Sequence, residues 1–96
     1  MKIPESIKVG GRIYEVRFVN NLWRNTGNKG FITFNSHLIE LDASLPEPDI
    51  GVVFIHEVIH AGDKQYGGNT LAEDKTDIVA ETIYQVFSDM GIRFER

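Results

Sequence analysis

The sequence predicts an α+β fold, in which a small, mostly antiparallel sheet from the N-terminal half packs on two helices from the C-terminal half. Residues 1–41 contain short apolar runs separated by turn residues, as in β-hairpins. Residues 50–90 contain two longer segments with helical periodicity. The chain has 96 residues, of which 42% are hydrophobic. This length suits one domain, so residues 1–96 are expected to form a single unit.

Two hairpins are predicted, each with two apolar runs flanking turn residues: Ile7–Val9 with Arg12–Val19, and Phe31–Phe34 with His37–Leu41. Between the hairpins, Asn20–Gly30 is rich in Asn and Gly and is expected to be a loop. Leu22 and Trp23 interrupt this polar segment, and we expect both side chains to return to the core.

Two helices are predicted in the second half. Ile50–Ala61 is apolar nearly all round apart from two histidines and one glutamate, which indicates a buried helix. Its start is expected either at a capping box on Ser44 or at Asp49. A last helix should follow an N-cap at Thr70 and run to about Met90, where Gly91 ends it.

Composition excludes several functional classes. There are no cysteines, which rules out disulfides, thiolate metal sites and a cysteine nucleophile. The net charge is −4, and residues 49–96 carry nine acidic against four basic residues, so no nucleic-acid partner is expected. No apolar run reaches the length of a membrane span and the N-terminus does not resemble a signal peptide. We therefore expect a cytoplasmic protein without a membrane partner.

The sequence His56-Glu57-Val58-Ile59-His60 has the pattern H-E-x-x-H. Residues four apart project from one face of a helix, so both imidazoles can reach a single zinc ion. Glu57 lies just beside that line and could take a proton from a zinc-bound water. Two histidines and a carboxylate are expensive to bury in an apolar helix unless they have a partner, which a metal ion would supply.

A catalytic zinc usually has a third protein ligand, and without cysteine this must be His37 or a carboxylate. On a helical wheel, Glu73 lies at the edge of the apolar face of the last helix, whereas Glu81 lies roughly opposite that face. Glu73 is therefore the favoured third ligand. Asp77, one turn further along, is the second candidate, with a supporting role that orients a histidine N–H as its expected function.

These residues resemble the zincin metallopeptidases of the gluzincin type, and most closely the minimal ImmA/IrrE-like members and similar small phage-encoded proteins. That family carries H-E-x-x-H-A and then a helix with E-x-x-A-N-x-F-A. Residues His56 to Ala61 match the first motif, while Glu73 and Ala80 match the second, with three differing residues between them. The resemblance implies a Zn²⁺ cofactor held by His56, His60 and Glu73, with Glu57 as the general base.

The resemblance also implies a zinc-dependent endopeptidase that acts on a protein or peptide held in extended form along an edge strand over the metal. His37–Leu41, the strand nearest in sequence to the first helix, is the candidate edge. No sure match exists for a residue that would stabilise the oxyanion, and Tyr66, His37 and Tyr84 are candidates by residue type only.

Two other functions are compatible with the same residues. One is a non-catalytic, zinc-stabilised binding module, in which the same ligands hold a structural metal and Glu57 only balances charge. The other is a metal-free interaction domain of phage type. The substrate and the oligomeric state are not indicated by the sequence.

Overall fold

A four-stranded sheet and two long helices form the α+β fold that the sequence predicts, in a computed structural model that describes all 96 residues. The elements are, in chain order, β1 Ser6–Val9, β2 Arg12–Val19, α1 Leu22–Thr26, β3 Gly30–Thr33, β4 Leu38–Asp42, α2 Asp49–Tyr66 and α3 Glu73–Asp89. Both predicted hairpins are confirmed, as is the segregation of strands and helices into the two halves of the chain.

The order of strands in the sheet is β1-β2-β4-β3. The two hairpins are antiparallel, and they join through a parallel pairing of β2 with β4. This parallel pairing places β4 inside the sheet, so the expectation that His37–Leu41 forms the edge is wrong. The edge beside α2 is β3 instead.

The core lies between one face of the sheet and α2. Alternate residues of β2 and β4 point to this face, as the two-residue period of a strand requires. The buried side chains of this core are Ile3, Tyr14, Val16, Ile39, Leu41, Ile50, Phe54 and Ala61. Helix α3 packs on α2 at the side away from the strands, where Gly51 leaves space for the ring of Tyr84. No helix is long and apolar enough to cross a bilayer.

Helix α2 begins at Asp49, which confirms one of the two expected starts, and continues to Tyr66, five residues beyond the apolar run that ends at Ala61. The caps expected at Ser44 and Thr70 do not form. The Ser44 hydroxyl instead donates a hydrogen bond to Asp42, and α3 begins at Glu73 after Ala72 rather than at Thr70. Thr70 does not cap α3, because its own amide donates a hydrogen bond to the buried carboxylate of Asp63 in the preceding turn.

The Asn/Gly-rich segment between the hairpins is not wholly a loop, because α1 forms one short helical turn within it. Leu22 is buried as expected, but the expectation of a core tryptophan is wrong: Trp23 is 51% exposed. The carboxylate of Asp42 accepts the backbone N–H of Trp23 at 2.8 Å, which holds the start of α1 against the end of β4.

Candidate metal centre

Helix α2 supplies three of the residues singled out in the sequence. His56 and His60 are one turn apart, and their rings pack edge to face with centroids 4.6 Å apart. Both histidine side chains are 13% exposed. Glu57 projects beside them on the side of the helix that faces β3. The helical spacing in the sequence therefore brings the H-E-x-x-H side chains to one region, as predicted.

Glu73, the first residue of α3, completes a cluster with the two histidines. Its carboxylate oxygens lie 3.1 Å from His56 Nε2 and 2.6 Å from His60 Nε2, and the two Nε2 atoms are 2.9 Å apart. Three potential ligand atoms from two helices thus converge on one point. Asp77 and His37 contribute no atom to this cluster.

The chemistry and spacing of these three atoms fit a zinc ion. Imidazole nitrogen and carboxylate oxygen bind zinc at about 2.0–2.2 Å, which in tetrahedral geometry separates neighbouring ligand atoms by about 3.3 Å. The observed separations of 2.6, 2.9 and 3.1 Å are shorter than this by about 0.2 to 0.7 Å. Small side-chain rotations would therefore open the cluster to the size that zinc requires.

Asp77 contacts the other ring nitrogen of His56. Its Oδ1 atom lies 2.8 Å from Nδ1, so Nδ1–H can donate to Asp77 while Nε2 faces the cluster. A histidine that binds metal commonly donates its second N–H to a carboxylate, which fixes the tautomer and the ring orientation. The geometry thus matches the supporting role predicted for Asp77.

Glu57 has an unusual environment for a carboxylate. Its residue is 5% exposed and lines the cleft, and no hydrogen bond contributes to the shift of its pKa. Burial, followed by the negative charges of Glu73 and Asp77, raises the pKa of Glu57 from 4.5 to about 8. A cation at the neighbouring cluster would oppose this effect, because opposite charge favours the ionised form.

The backbone of β3 passes directly over Glu57. A Cβ atom on Gly30 would overlap the side chain of Val53 and lie 3.0 Å from Glu57 Oε2, so only glycine permits this close approach. The importance of Gly30 is not evident from the sequence alone. A glycine at the start of a predicted strand is a weak signal, since it equally marks the end of the preceding loop.

The free edge of β3 presents unpaired backbone groups. The Asp42 N–H donates to Lys29 C=O at 2.9 Å, which identifies the pair of residues 29 and 42 as hydrogen bonded. Bonded and non-bonded pairs alternate along an antiparallel ladder. In the observed register, the N–H and C=O groups of Gly30 and Ile32 therefore point away from β4 and towards open space.

A cleft with a volume of about 910 Å³ separates this edge from the helices. Such a volume lies within the range of small-molecule and peptide sites. The three cluster residues, Glu57 and Asp77 all line it, as do Trp23 and Lys29. The Lys29 ammonium lies 5.4 Å from the centre of the Trp23 ring, so the two side chains form a wall of the cleft.

The three candidates for oxyanion stabilisation lie outside this cleft. Tyr66 is 80% exposed at the end of α2. The ring of His37 packs against Tyr14, and that of Tyr84 against Gly51. The side chains with N–H donors that do line the cleft, apart from the histidines, are Trp23, Asn28, Lys29 and Asn69.

Asp63 determines where α3 begins and hence where Glu73 lies. Its two carboxylate oxygens accept the N–H groups of Thr70 and Leu71 at 3.0 and 2.9 Å. Its backbone carbonyl accepts two further amides from the turn, those of Gly67 and Asn69. The hydrogen bonds to the carboxylate, with that of Leu71 contributing most, hold the pKa of Asp63 below its usual value. One buried residue thus orders the connection between the two helices of the cluster.

No family model matches the chain, and comparison with curated proteins and with solved structures also found no match.

Proposed function

We propose that this protein is a zinc-dependent endopeptidase, with His56, His60 and Glu73 as the metal ligands and Glu57 as the general base. The observation that carries the proposal is the position of Glu57. It is a buried carboxylate without a protein partner, beside three convergent ligand atoms and beneath an open strand edge. A purely structural glutamate would be expected to have hydrogen-bond partners when buried.

The residues of the chain have distinct parts in this reaction. Zinc, when bound, would polarise the substrate carbonyl and lower the pKa of a coordinated water. Glu57 accepts the proton of the attacking water and then donates it to the nitrogen of the leaving amine. Asp77 holds His56 in the tautomer whose Nε2 faces the cluster.

An extended peptide would bind by adding a strand to the sheet. The outward N–H and C=O groups of Gly30 and Ile32 offer main-chain pairing along the free edge of β3. Pairing there places the peptide within the cleft that Glu57 lines, because Gly30 lies directly over that carboxylate. Main-chain pairing does not depend on the side chains of the substrate, so it supports peptide binding without specifying a cleavage sequence.

The number of ligands favours an enzyme over a zinc-stabilised binding module. Structural zinc sites are usually closed by four protein ligands, whereas catalytic sites retain a position for water. The cluster contains three residues. Asp77, the second candidate ligand, is engaged with Nδ1 of His56 on the other side of the ring.

The variant Glu57→Gln tests the proposal, with Glu81→Gln as the matched control because Glu81 lines the same cleft on α3. Protein purified without a histidine tag is loaded with zinc, analysed for metal and incubated with a mixture of unfolded proteins. We expect about one zinc per chain in all three proteins and cleavage products only with the wild type and Glu81→Gln. Zinc binding without any cleavage would favour the binding module, and negligible zinc would overturn both readings.

A further inference from the structure

Helix α3 exposes a set of large apolar side chains on the surface away from the cleft. Ile78 is 58% exposed, Val79 40%, Val86 49% and Met90 67%. A contiguous exposed apolar patch on a small domain often marks an interaction surface. No other part of the chain covers these side chains.

The residues along this surface form a pattern that is symmetric about Thr82. Lys75, Ile78, Thr82, Val86 and Asp89 follow one another at intervals of three, four, four and three residues, so they share one side of the helix. A basic residue stands at the N-terminal end of this stripe and an acidic residue at the C-terminal end. All five are exposed.

We propose that two copies of the protein associate by antiparallel packing of this stripe, with the twofold axis at Thr82. Lys75 then faces Asp89 of the partner subunit, and Ile78 faces Val86 of the partner subunit. Because the interface is isologous, each of these contacts occurs twice. The opposite charges at the two ends select the antiparallel arrangement, since a parallel pair would place like charges together.

This association leaves the cleft open. Glu73 is nine residues before Thr82, which at 100° per residue places it on the opposite side of α3. The association is also independent of zinc and of the proposed peptidase activity, because neither Lys75 nor Asp89 belongs to the candidate metal cluster.

The size of the interface predicts a weak dimer. A helix of 17 residues is about 25 Å long, so a single pair of such helices lies at the low end of specific protein interfaces. We expect a dissociation constant on the order of tens of micromolar, which also makes the dimer sensitive to single substitutions.

Sedimentation equilibrium on the complete chain, from about 5 to 500 µM, measures the dimer dissociation constant. The wild type is compared with variants in which the charges at residues 75 and 89 are reversed singly and together. Lys75→Glu and Asp89→Lys should each weaken association about tenfold, since each creates like-charge contacts across the axis. The double variant should restore association towards the wild-type level. Ile13→Lys, at an equally exposed apolar residue on the outer sheet face, should leave association unchanged.

Two results would overturn the inference. One is a wild-type protein that stays monomeric throughout the concentration range. The other is a double variant that is as weak as the single variants, because the two charges would then not meet across an axis. Both charged residues lie on the surface, so circular dichroism should show that all of these variants are folded.

Discussion

The two ring nitrogens of His56 contact different carboxylates, and this difference separates the proposed metal ligand from the proposed supporting residue. Nε2 lies 3.1 Å from Glu73 and Nδ1 lies 2.8 Å from Asp77. Only the Nε2 side is shared with His60. Glu73 and Asp77 lie on the same helix, but Glu73 contacts the nitrogen that faces His60 and Asp77 contacts the other one.

The variants Glu73→Gln and Asp77→Asn should consequently differ in zinc affinity. Loss of the supporting hydrogen bond in Asp77→Asn should weaken binding about 10- to 100-fold, whereas loss of a ligand in Glu73→Gln should weaken it more than about 100-fold. Competition with a chromophoric chelator measures both constants, and Glu81→Gln serves as the control. An equal loss in the two variants would contradict the supporting role of Asp77 and indicate that both residues are ligands.

The absence of a side chain at Gly30 should contribute to the stability of the fold. In Gly30→Ala the added methyl group overlaps Val53, and we expect a loss of about 1–3 kcal/mol in the free energy of unfolding. Gly62→Ala is the matched control, because its Cβ meets nothing within 4 Å and helical alanine is favoured by up to about 1 kcal/mol. Urea denaturation distinguishes the two, and equal stability of both variants would contradict the close approach of β3.

The position at which α3 begins depends on one buried acid, Asp63, in the preceding helix. Asp63 bonds the amides of Thr70 and Leu71, so α3 starts after this turn and not at the Thr70 cap that the sequence suggests. The capping pattern at Thr70 is not realised, because the carboxylate of Asp63, seven residues earlier, accepts the Thr70 amide. Such competition is not visible in local propensities.

Asp63 should also give the protein a characteristic acid sensitivity. Its pKa is lower in the folded than in the unfolded state, so the folded state binds fewer protons as the pH falls through about 4. The stabilisation is complete above that range and is lost as the pH drops to the folded-state pKa. In Asp63→Asn the decrease in unfolding free energy between pH 5 and 2 should be shallower than in the wild type.

Chemical denaturation across that pH range provides the measurement. Asp74→Asn is the matched control, because Asp74 is an exposed acid in the first turn of α3 to which no backbone amide donates. A slope in Asp63→Asn as steep as in the wild type would contradict the role assigned to this carboxylate.

For the whole molecule, the candidate metal cluster joins the two long helices. His56 and His60 lie on α2 and Glu73 on α3, so a bound ion would link two elements that also pack together where Gly51 leaves space for Tyr84. Because unfolding would separate the proposed ligands, an affinity for zinc would add to the stability of the fold.

Removal of zinc should therefore lower the melting temperature. At free zinc 100-fold above the dissociation constant, the stabilisation is about 2.7 kcal/mol, which for a domain of this size corresponds to a shift on the order of 10 °C. Differential scanning calorimetry with and without chelator measures it. The double variant of His56→Ala and His60→Ala should show no shift with chelator. A wild-type protein that is equally insensitive would leave the metal-free interaction domain as the better reading.

The sequence was sufficient for the local patterns and insufficient for the order of the strands. Both hairpins and both long helices follow from periodicity and turn residues, and the spacing of His56 and His60 follows from helix geometry. The parallel pairing of β2 with β4 joins residues more than twenty positions apart, and no local pattern encodes it. The edge strand was misassigned for that reason. Trp23 was misplaced because residue type alone favours burial.

The two ends of the chain lie side by side. Glu95 accepts the amide of Ile3 at 2.7 Å and donates its own amide to Met1 at 3.0 Å, while Phe94 packs on Phe54. A short linker could therefore join the termini, with new ends opened between Gly10 and Gly11. In such a circular permutant β2 would be made first and β1 last. All the residues that line the cleft would then precede the final strand in the chain.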